Sequence, residues 1–373
     1  MGVLMKKIGI ITIHRINNYG AMLQSYALNK YLTNQGYDVK TIDFRTPRVA
    51  ESYKIFYPIN SLMNIVRNVQ ALLYSQQLKK RKKRMEQFLC ENLPITNDCY
   101  YSNESLKKAK LGYDYYICGS DQIWNVGCSN YSEAYFLSFA EDGARKISYA
   151  ASIGEREVSS ENKGIFKELL KDFYKVSVRE KYAADSLSKI CNKDVYTVMD
   201  PVFLLSADQW KDILPKTKNK GKYILLYALR GDIKGMRAFV KEKGKQYNLP
   251  IVVVTMNLRE MQYKNKKCYD AGPLEFLNLI KNAEYVCTNS FHGVAMAIIF
   301  EKKFWAFSHE DKKNSSARIY NLLEQLGLQE RVICHKDSID FEKEIDYRKV
   351  EERKSIAVEN SKSYLKEALR DDR

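Results

Sequence analysis

Ala283-Glu284-Tyr285-Val286-Cys287-Thr288, then Asn289-Ser290-Phe291-His292-Gly293, then Val294 to Phe300, reads as strand, turn and helix. The first six residues make a short apolar strand. The turn carries polar side chains and a glycine, and the last seven residues hold no charge, which suits a buried helix. Such a turn sets His292 at or beside a helix N-terminus, where free backbone N–H groups and the helix dipole favour a bound anion. In an open α/β sheet that point, past the carboxyl end of a strand, is where ligands sit. The competing local reading is a capped core helix whose histidine makes one satisfied hydrogen bond.

The same alternation extends in both directions. Lys7 to Ile13 is a β-rich run, followed by the loop His14 to Gly20, a helix from Ala21 to Gln35 closed by Gly36, and a strand from Val39 to Phe44. This is a βαβ opening, and without a GxGxxG it does not indicate a dinucleotide. Tyr113 to Cys118 is a strand running into the polar loop Gly119 to Asn125, and Lys146 to Ala151 is another, followed by Ser152-Ile153-Gly154. Val176-Ser177-Val178 ends at Arg179-Glu180. An arginine there suits bidentate capture of a carboxylate or phosphate, or simply pairs on the surface. The second half repeats the pattern with strands Tyr223 to Leu229, Ile251 to Thr255 and Phe304 to Phe307 and helices Lys234 to Tyr247, Pro273 to Asn282 and about Ser315 to Leu326.

A Lys-rich break carrying Pro215 and Gly221 places a boundary, giving domains 1–205 and 206–349, with a charged amphipathic helix at 350–370 expected to pack back onto the first. The fold class is therefore α/β, two Rossmann-like domains facing each other across a cleft. The loops at 14–20, 119–125, 152–154 and 289–293 all follow strands, and they converge on that cleft if the strands are parallel.

The 373 residues suffice for two filled cores, and 45% apolar with 28% charged residues is ordinary for a globular chain. No apolar run approaches the roughly 18–20 residues of a membrane span, and no signal-peptide pattern precedes the first strand, so the expected location is the cytoplasm. Eight cysteines without CxxC spacing read as reduced, packing thiols, and no ligand pattern suggests a metal. The net charge of +16 attracts polyanions: nucleic acid, anionic lipid or phosphorylated substrates. No nucleic-acid-binding signature accompanies it, which demotes the first. The run Lys79 to Arg84 reads as a solvated helical face, with a peripheral patch for the inner membrane surface as the alternative.

Six pieces, in order, resemble the polysaccharide pyruvyl transferases. They are Asn17 to Leu28, Tyr116 to Asn125, Ser148 to Gly154, Ser177-Val178-Arg179-Glu180, Asp200 to Leu205 and Thr288 to Gly293. Together they span roughly residues 7 to 330. The resemblance implies a fold like the glycosyltransferase-B type, phosphoenolpyruvate as donor without a further cofactor, and a pyruvate ketal on a sugar as product. The family's histidine falls on His292 and its donor-binding arginine on Arg179. Many members also carry an arginine where this chain has Ser290, so either another cation, among Lys312, Lys313 and Arg318, compensates or the substrate differs.

From this follow the expected roles. His292 supplies acid catalysis and contacts phosphate, and Arg179 clamps the donor. Asn18 and Gly20 shape one wall, Ser120, Asp121 and Ser152 line the cleft, and Asn289, Ser290 and Gly293 surround the histidine. The acceptor is a sugar on a lipid diphosphate or a nucleotide. The rival readings are a nucleotide-sugar glycosyltransferase of the same fold and a non-catalytic member of a polysaccharide system.

Overall fold

The computed structural model describes residues 5–47, 55–127, 131–216, 221–229, 235–255, 266–308, 317–333 and 343–370. Lys312 and Lys313 lie outside them. Five parallel strands form the first sheet: β1 (Lys7–Ile11), β2 (Asp38–Phe44), β3 (Ile95–Tyr100), β4 (Tyr115–Cys118) and β5 (Arg145–Ser148), in the order β3-β2-β1-β4-β5. A two-stranded parallel ribbon, β6 (Val176–Val178) and β7 (Val195–Thr197), continues beyond it. Six more parallel strands form the second sheet: β8 (Ile224–Ala228), β9 (Ile251–Thr255), β10 (Lys266–Cys268), β11 (Tyr285–Thr288), β12 (Lys303–Phe307) and β13 (Val332–Ile333), ordered β10-β9-β8-β11-β12-β13.

The helices are α1 (Tyr19–Asn34), α2 (Leu62–Leu73), α3 (Ser75–Asn92), α4 (Asn103–Ala109), α5 (Lys163–Leu170), α6 (Lys181–Cys191), α7 (Ala207–Asp212), α8 (Met236–Gln246), α9 (Pro273–Asn282), α10 (Phe291–Ile299), α11 (Ala317–Leu326) and α12 (Tyr347–Ala368). Among the described residues none is long and apolar enough to cross a membrane.

Both sheets wind outward from a central pair, so each has a point where the strand order reverses: between β1 and β4 in the first, between β8 and β11 in the second. Crevices at such points, beyond the carboxyl ends of the strands, are where open α/β sheets bind ligands. The loop 119–125 and the turn 289–290 leave β4 and β11 at these two places.

The two sheets are joined by a continuous apolar core. Met22 and Leu23 of α1 pack into one cluster with Phe276 and Leu277 of α9 and Val294 of α10. Tyr19, the first residue of α1, stacks on Phe276 at 4.5 Å and approaches Tyr227 at 5.9 Å, while its hydroxyl donates to the Ala271 carbonyl at 2.8 Å. Aromatic burial on this scale dominates a packing interface, and it fixes the N-terminus of α1 against the second sheet. The chain's last helix returns to the first sheet. Tyr364 and Leu365 of α12 share a core with Ile8 and Ile10, Tyr364 Oη donates to the Ser148 carbonyl at 2.9 Å, and Met199 N donates to Ser361 Oγ at 2.8 Å.

The basic run of α3 is not one solvated face. Arg81 is buried and donates to the Thr255 carbonyl, Lys80 pairs with Asp270, and Arg84 pairs with Asp270 and Glu275, so half the cations of the run hold the helix to the second half. Lys79 and Lys83 remain exposed.

Candidate active site

Three loops of the first half meet where β1, β4 and β5 end. Gly119 N donates to the Ile11 carbonyl at 2.9 Å, and Thr12 Oγ1 donates to the Ser120 carbonyl at 2.9 Å, stapling the loop after β4 to that after β1. Asp121 takes a left-handed conformation, φ +74°, stabilised where Ser152 N donates to its carbonyl at 3.0 Å and Gln122 N to its Oδ1 at 2.9 Å. Non-glycine residues hold that conformation only where the surroundings fix it, and such positions cluster at functional sites.

The centre of the site is a buried carboxylate. Asp200 precedes the single 3₁₀ turn Pro201–Leu204 and caps it, Oδ1 accepting from Val202 N at 3.1 Å. Its Oδ2 faces three groups. Arg179 Nη1 donates to it at 2.8 Å, Ser120 Oγ donates at 3.0 Å, and His292 Nε2 lies 3.4 Å away. Burial alone would push the Asp200 carboxyl upward; the charges and hydrogen bonds of His292 and Arg179 outweigh it and hold it well below the usual carboxylate range.

Arg179 sits at the end of β6, 3% exposed. Its Nε donates to Glu180 Oε1 at 3.0 Å, and its guanidinium lies 4.1 Å above the Phe291 ring. Burial would lower its pKa, but Glu180, Asp200 and Asp121 raise it further above the ordinary arginine value. Two of its donor positions are thus taken by protein carboxylates, and Nη2 is the one left without a protein partner.

His292 opens the first turn of α10, 6% exposed. Ser290 is the N-cap of that helix, its Oγ accepting from Gly293 N at 3.3 Å. The imidazole also packs against α1. A methyl built on Gly20 would fall 2.8 Å from the His292 Cβ and closer still to Cγ and Nδ1. Asn18 caps α1 by accepting from Gly20 N at 2.9 Å. The histidine is therefore held between the carboxylate of Asp200 and the bare backbone of Gly20.

Around this buried floor stand half-exposed side chains: Asn18, Gln122, Asn289 and Arg318. Arg318, on α11, reaches across to the first half. With the Gln122 amide turned so that its carbonyl faces α11, that oxygen accepts from Arg318 Nη1 at 2.9 Å and Nη2 at 3.1 Å. Asn321 of the same helix accepts from Lys181 N at 3.1 Å, tying α11 to the start of α6 beside Arg179.

The structure thus brings Arg179, His292 and Ser120 together at Asp200, with Gly20 against the histidine and Asp121 and Arg318 close by. Several expected ligand contacts are already engaged within the protein. Asn18 and Ser290 cap their own helices. Ser152 Oγ donates to Glu180 Oε1 at 3.0 Å, and Asn289 Oδ1 accepts from Leu229 N at 2.8 Å. Gly293 is required by packing, since a Cβ there would lie 2.6 Å from Thr288 Oγ1. Asp200, Glu180 and Gln122 were not singled out from sequence as site residues. The signal for Asp200 was present in Asp200-Pro201, an acidic cap before a proline-led turn, but nothing local pointed its second oxygen at Arg179 and His292. Among the described residues no cluster of three His, Cys, Asp or Glu side chains could hold a metal ion.

A two-sheet, all-parallel α/β architecture with its polar centre between both reversal points is that of the glycosyltransferase-B type. Solved structures agree. S. aureus MnaA with UDP superposes with a TM-score of 0.53 at 13% identity, covering 96% of this chain and 90% of that one. The UDP-GlcNAc 2-epimerase of Methanocaldococcus jannaschii gives 0.51 at 12%, covering 95% and 93%. At these identities the likeness is one of fold alone. No curated protein matches in sequence. The family profile of the polysaccharide pyruvyl transferases matches residues 18–311, and the chain belongs to that family.

Proposed function

We propose that the chain transfers pyruvate from phosphoenolpyruvate to a sugar of a polysaccharide precursor, forming a cyclic ketal and releasing phosphate. The observation that carries this reading is the meeting of Arg179 and His292, from opposite halves, on one oxygen of Asp200. In the reaction the enol CH₂ takes a proton and becomes a methyl, leaving positive charge on C2. A first sugar hydroxyl adds to C2 and gives up its proton. Phosphate departs with the electrons of the C2–O bond, and a second hydroxyl of the same sugar attacks C2 and closes the ring; of the two protons the hydroxyls lose, one replaces that given to the CH₂ and the other leaves on the phosphate.

His292 provides the proton, with Asp200 fixing its ring; positioned acid–base groups contribute about 10²–10⁴-fold. Arg179 offers Nη2 to the donor, and Arg318, half-exposed on the rim, supplies the guanidinium that Ser290 does not. The acceptor is a sugar carried on a lipid diphosphate or a nucleotide.

Thermal shift with phosphoenolpyruvate against a panel of nucleotide sugars, followed by acceptor-dependent phosphate release, tests the reading. The expected result is stabilisation by phosphoenolpyruvate and phosphate release only with acceptor present. A response to nucleotide sugars alone would move the chain to glycosyl transfer. Arg318→Ala should raise the KM for phosphoenolpyruvate roughly 10- to 100-fold, the effect of a charge-assisted hydrogen bond of about 1.5–3 kcal/mol. An unchanged KM would remove Arg318 from donor binding.

A further inference from the structure

Helix α2 is turned inside out. Its large side chains Leu62, Ile65, Val66, Val69, Leu72 and Leu73 recur at helical spacing and form one stripe. In a water-facing protein that stripe belongs against the core. Here all six are exposed, Leu62 by 83% and Leu73 by 69%, while the small and polar residues Asn64, Asn68 and Ala71 face inward. The orientation is fixed by hydrogen bonds. Asn68 exchanges two with the backbone of Tyr57, both at 2.8 Å, and Asn64 Nδ2 donates to the Pro58 carbonyl at 3.1 Å and to Asn60 Oδ1 at 2.8 Å. The next helix behaves in the ordinary way: Leu78, Met85, Phe88 and Leu89 of α3 are buried.

The patch is concentrated. Of the sixteen exposed large hydrophobic residues in the described chain, ten fall between Phe56 and Leu73. Contiguous exposed apolar surface of this kind marks an interaction site.

Charge selects the occupant. Arg67 lies on α2 itself, 5.6 Å over the Tyr57 ring, and Lys79 and Lys83 are exposed on the helix that follows directly. A second copy docking through the same stripe would bring two such sets of cations together. An anionic headgroup layer neutralises them and accepts the aliphatic side chains beneath. Leucine and valine on one face and an aromatic pair beside it, with Arg67 on the helix and exposed lysines on the next, suit a lipid interface.

We propose that the outward face of α2, with Phe56 and Tyr57 beside it, docks on the surface of an anionic lipid bilayer, bringing the first half of the molecule to the membrane. The inference does not depend on pyruvyl transfer, because its readout is partition into lipid and not turnover.

Co-sedimentation of the full chain with vesicles of phosphatidylcholine and phosphatidylglycerol, mixed about two to one, tests it, with pure phosphatidylcholine vesicles as control. The chain should pellet with the mixed vesicles at low salt and much less with the neutral ones. Leu62→Gln/Val66→Gln/Leu73→Gln should lower the partition coefficient at least tenfold with unchanged thermal unfolding, since all three positions are exposed. Lys79→Gln and Lys83→Gln should each lower it about fivefold, an effect that high salt should erase. No binding of the wild-type chain at low salt, or wild-type binding by the triple variant, would overturn the proposal. So would a dimer in solution that the triple variant dissolves, which would give the face to a second copy.

Discussion

Asp200→Ala lowers the stability of the folded chain by roughly 3–5 kcal/mol, the cost of removing one partner from a buried ion pair. The substitution strips Arg179 Nη1, Ser120 Oγ and Val202 N of their acceptor at once, at a position only 1% exposed. Asp200→Asn keeps the shape and one acceptor, so it should cost less stability but still abolish catalysis, because a neutral amide no longer balances the Arg179 guanidinium. The two variants separate structure from chemistry. Chemical denaturation of both, with turnover measured under native conditions, checks this, and wild-type stability in Asp200→Ala would refute the central role given to this carboxylate.

The same group makes stability depend on pH in a defined direction. A carboxyl whose folded pKa is depressed contributes stability that is complete above its unfolded value, near 3.9 for Asp, and is lost as pH falls toward the folded value. The wild-type chain should therefore weaken on acidification below about pH 5, and Asp200→Asn should show a shallower loss. The loss will not vanish. Asp43 is also held low: burial would raise it, but hydrogen bonds from His14 and Arg45 and the charges of His14 and Arg15 prevail, and it titrates independently at the end of β2.

Where the polypeptide states its own period, sequence and structure coincide. β1, β4, β8 and β11 are apolar runs buried on both faces, as central parallel strands must be. α10, with no polar residue after His292, could only be a core helix. The edges were harder. β3 reads Ile-Thr-Asn-Asp-Cys-Tyr, half-exposed and without alternation, and β13 has two residues; both pair because a neighbouring strand offers a free edge, and that is non-local information.

The site divides in the same manner. Loops after strands could be picked out because polar residues follow apolar runs, and parallel pairing then gathers them at one end of each sheet. That Asp200 would collect Arg179, Ser120 and His292 depends on how β6–β7 and α10 approach each other in space, which no spacing along the chain encodes. α2 shows the limit from the other side. Its amphipathic period predicts a helix, but only the packing reveals that the apolar stripe points outward.

Gly20→Ala should reduce pyruvyl-transfer turnover at least a hundredfold, on the scale that displacement of a catalytic group by about 1 Å produces, although the substituted residue carries no reactive atom. Gly20 lies in the first turn of α1, where alanine is the better helix former by about 1 kcal/mol, so the backbone itself gains. The damage comes from the added methyl, which occupies space held by the His292 ring. Neither side can retreat easily. Tyr19 anchors α1 through its stack on Phe276 and its bond to Ala271, and Asp200 stands at the far edge of the imidazole. Overpacking should cost roughly 1–3 kcal/mol, small beside the loss of turnover. Gly20→Ala/His292→Ala then provides the decisive comparison. Removing the imidazole takes away the contacts at Cγ and Nδ1 and leaves only the 2.8 Å approach to Cβ, so the double variant should be more stable than the sum of the two single changes requires, while remaining inactive; contacting residues show such coupling at about 0.5–3 kcal/mol. Strict additivity in stability, or near-normal turnover in Gly20→Ala, would mean that the glycine does not hold the histidine in its working position.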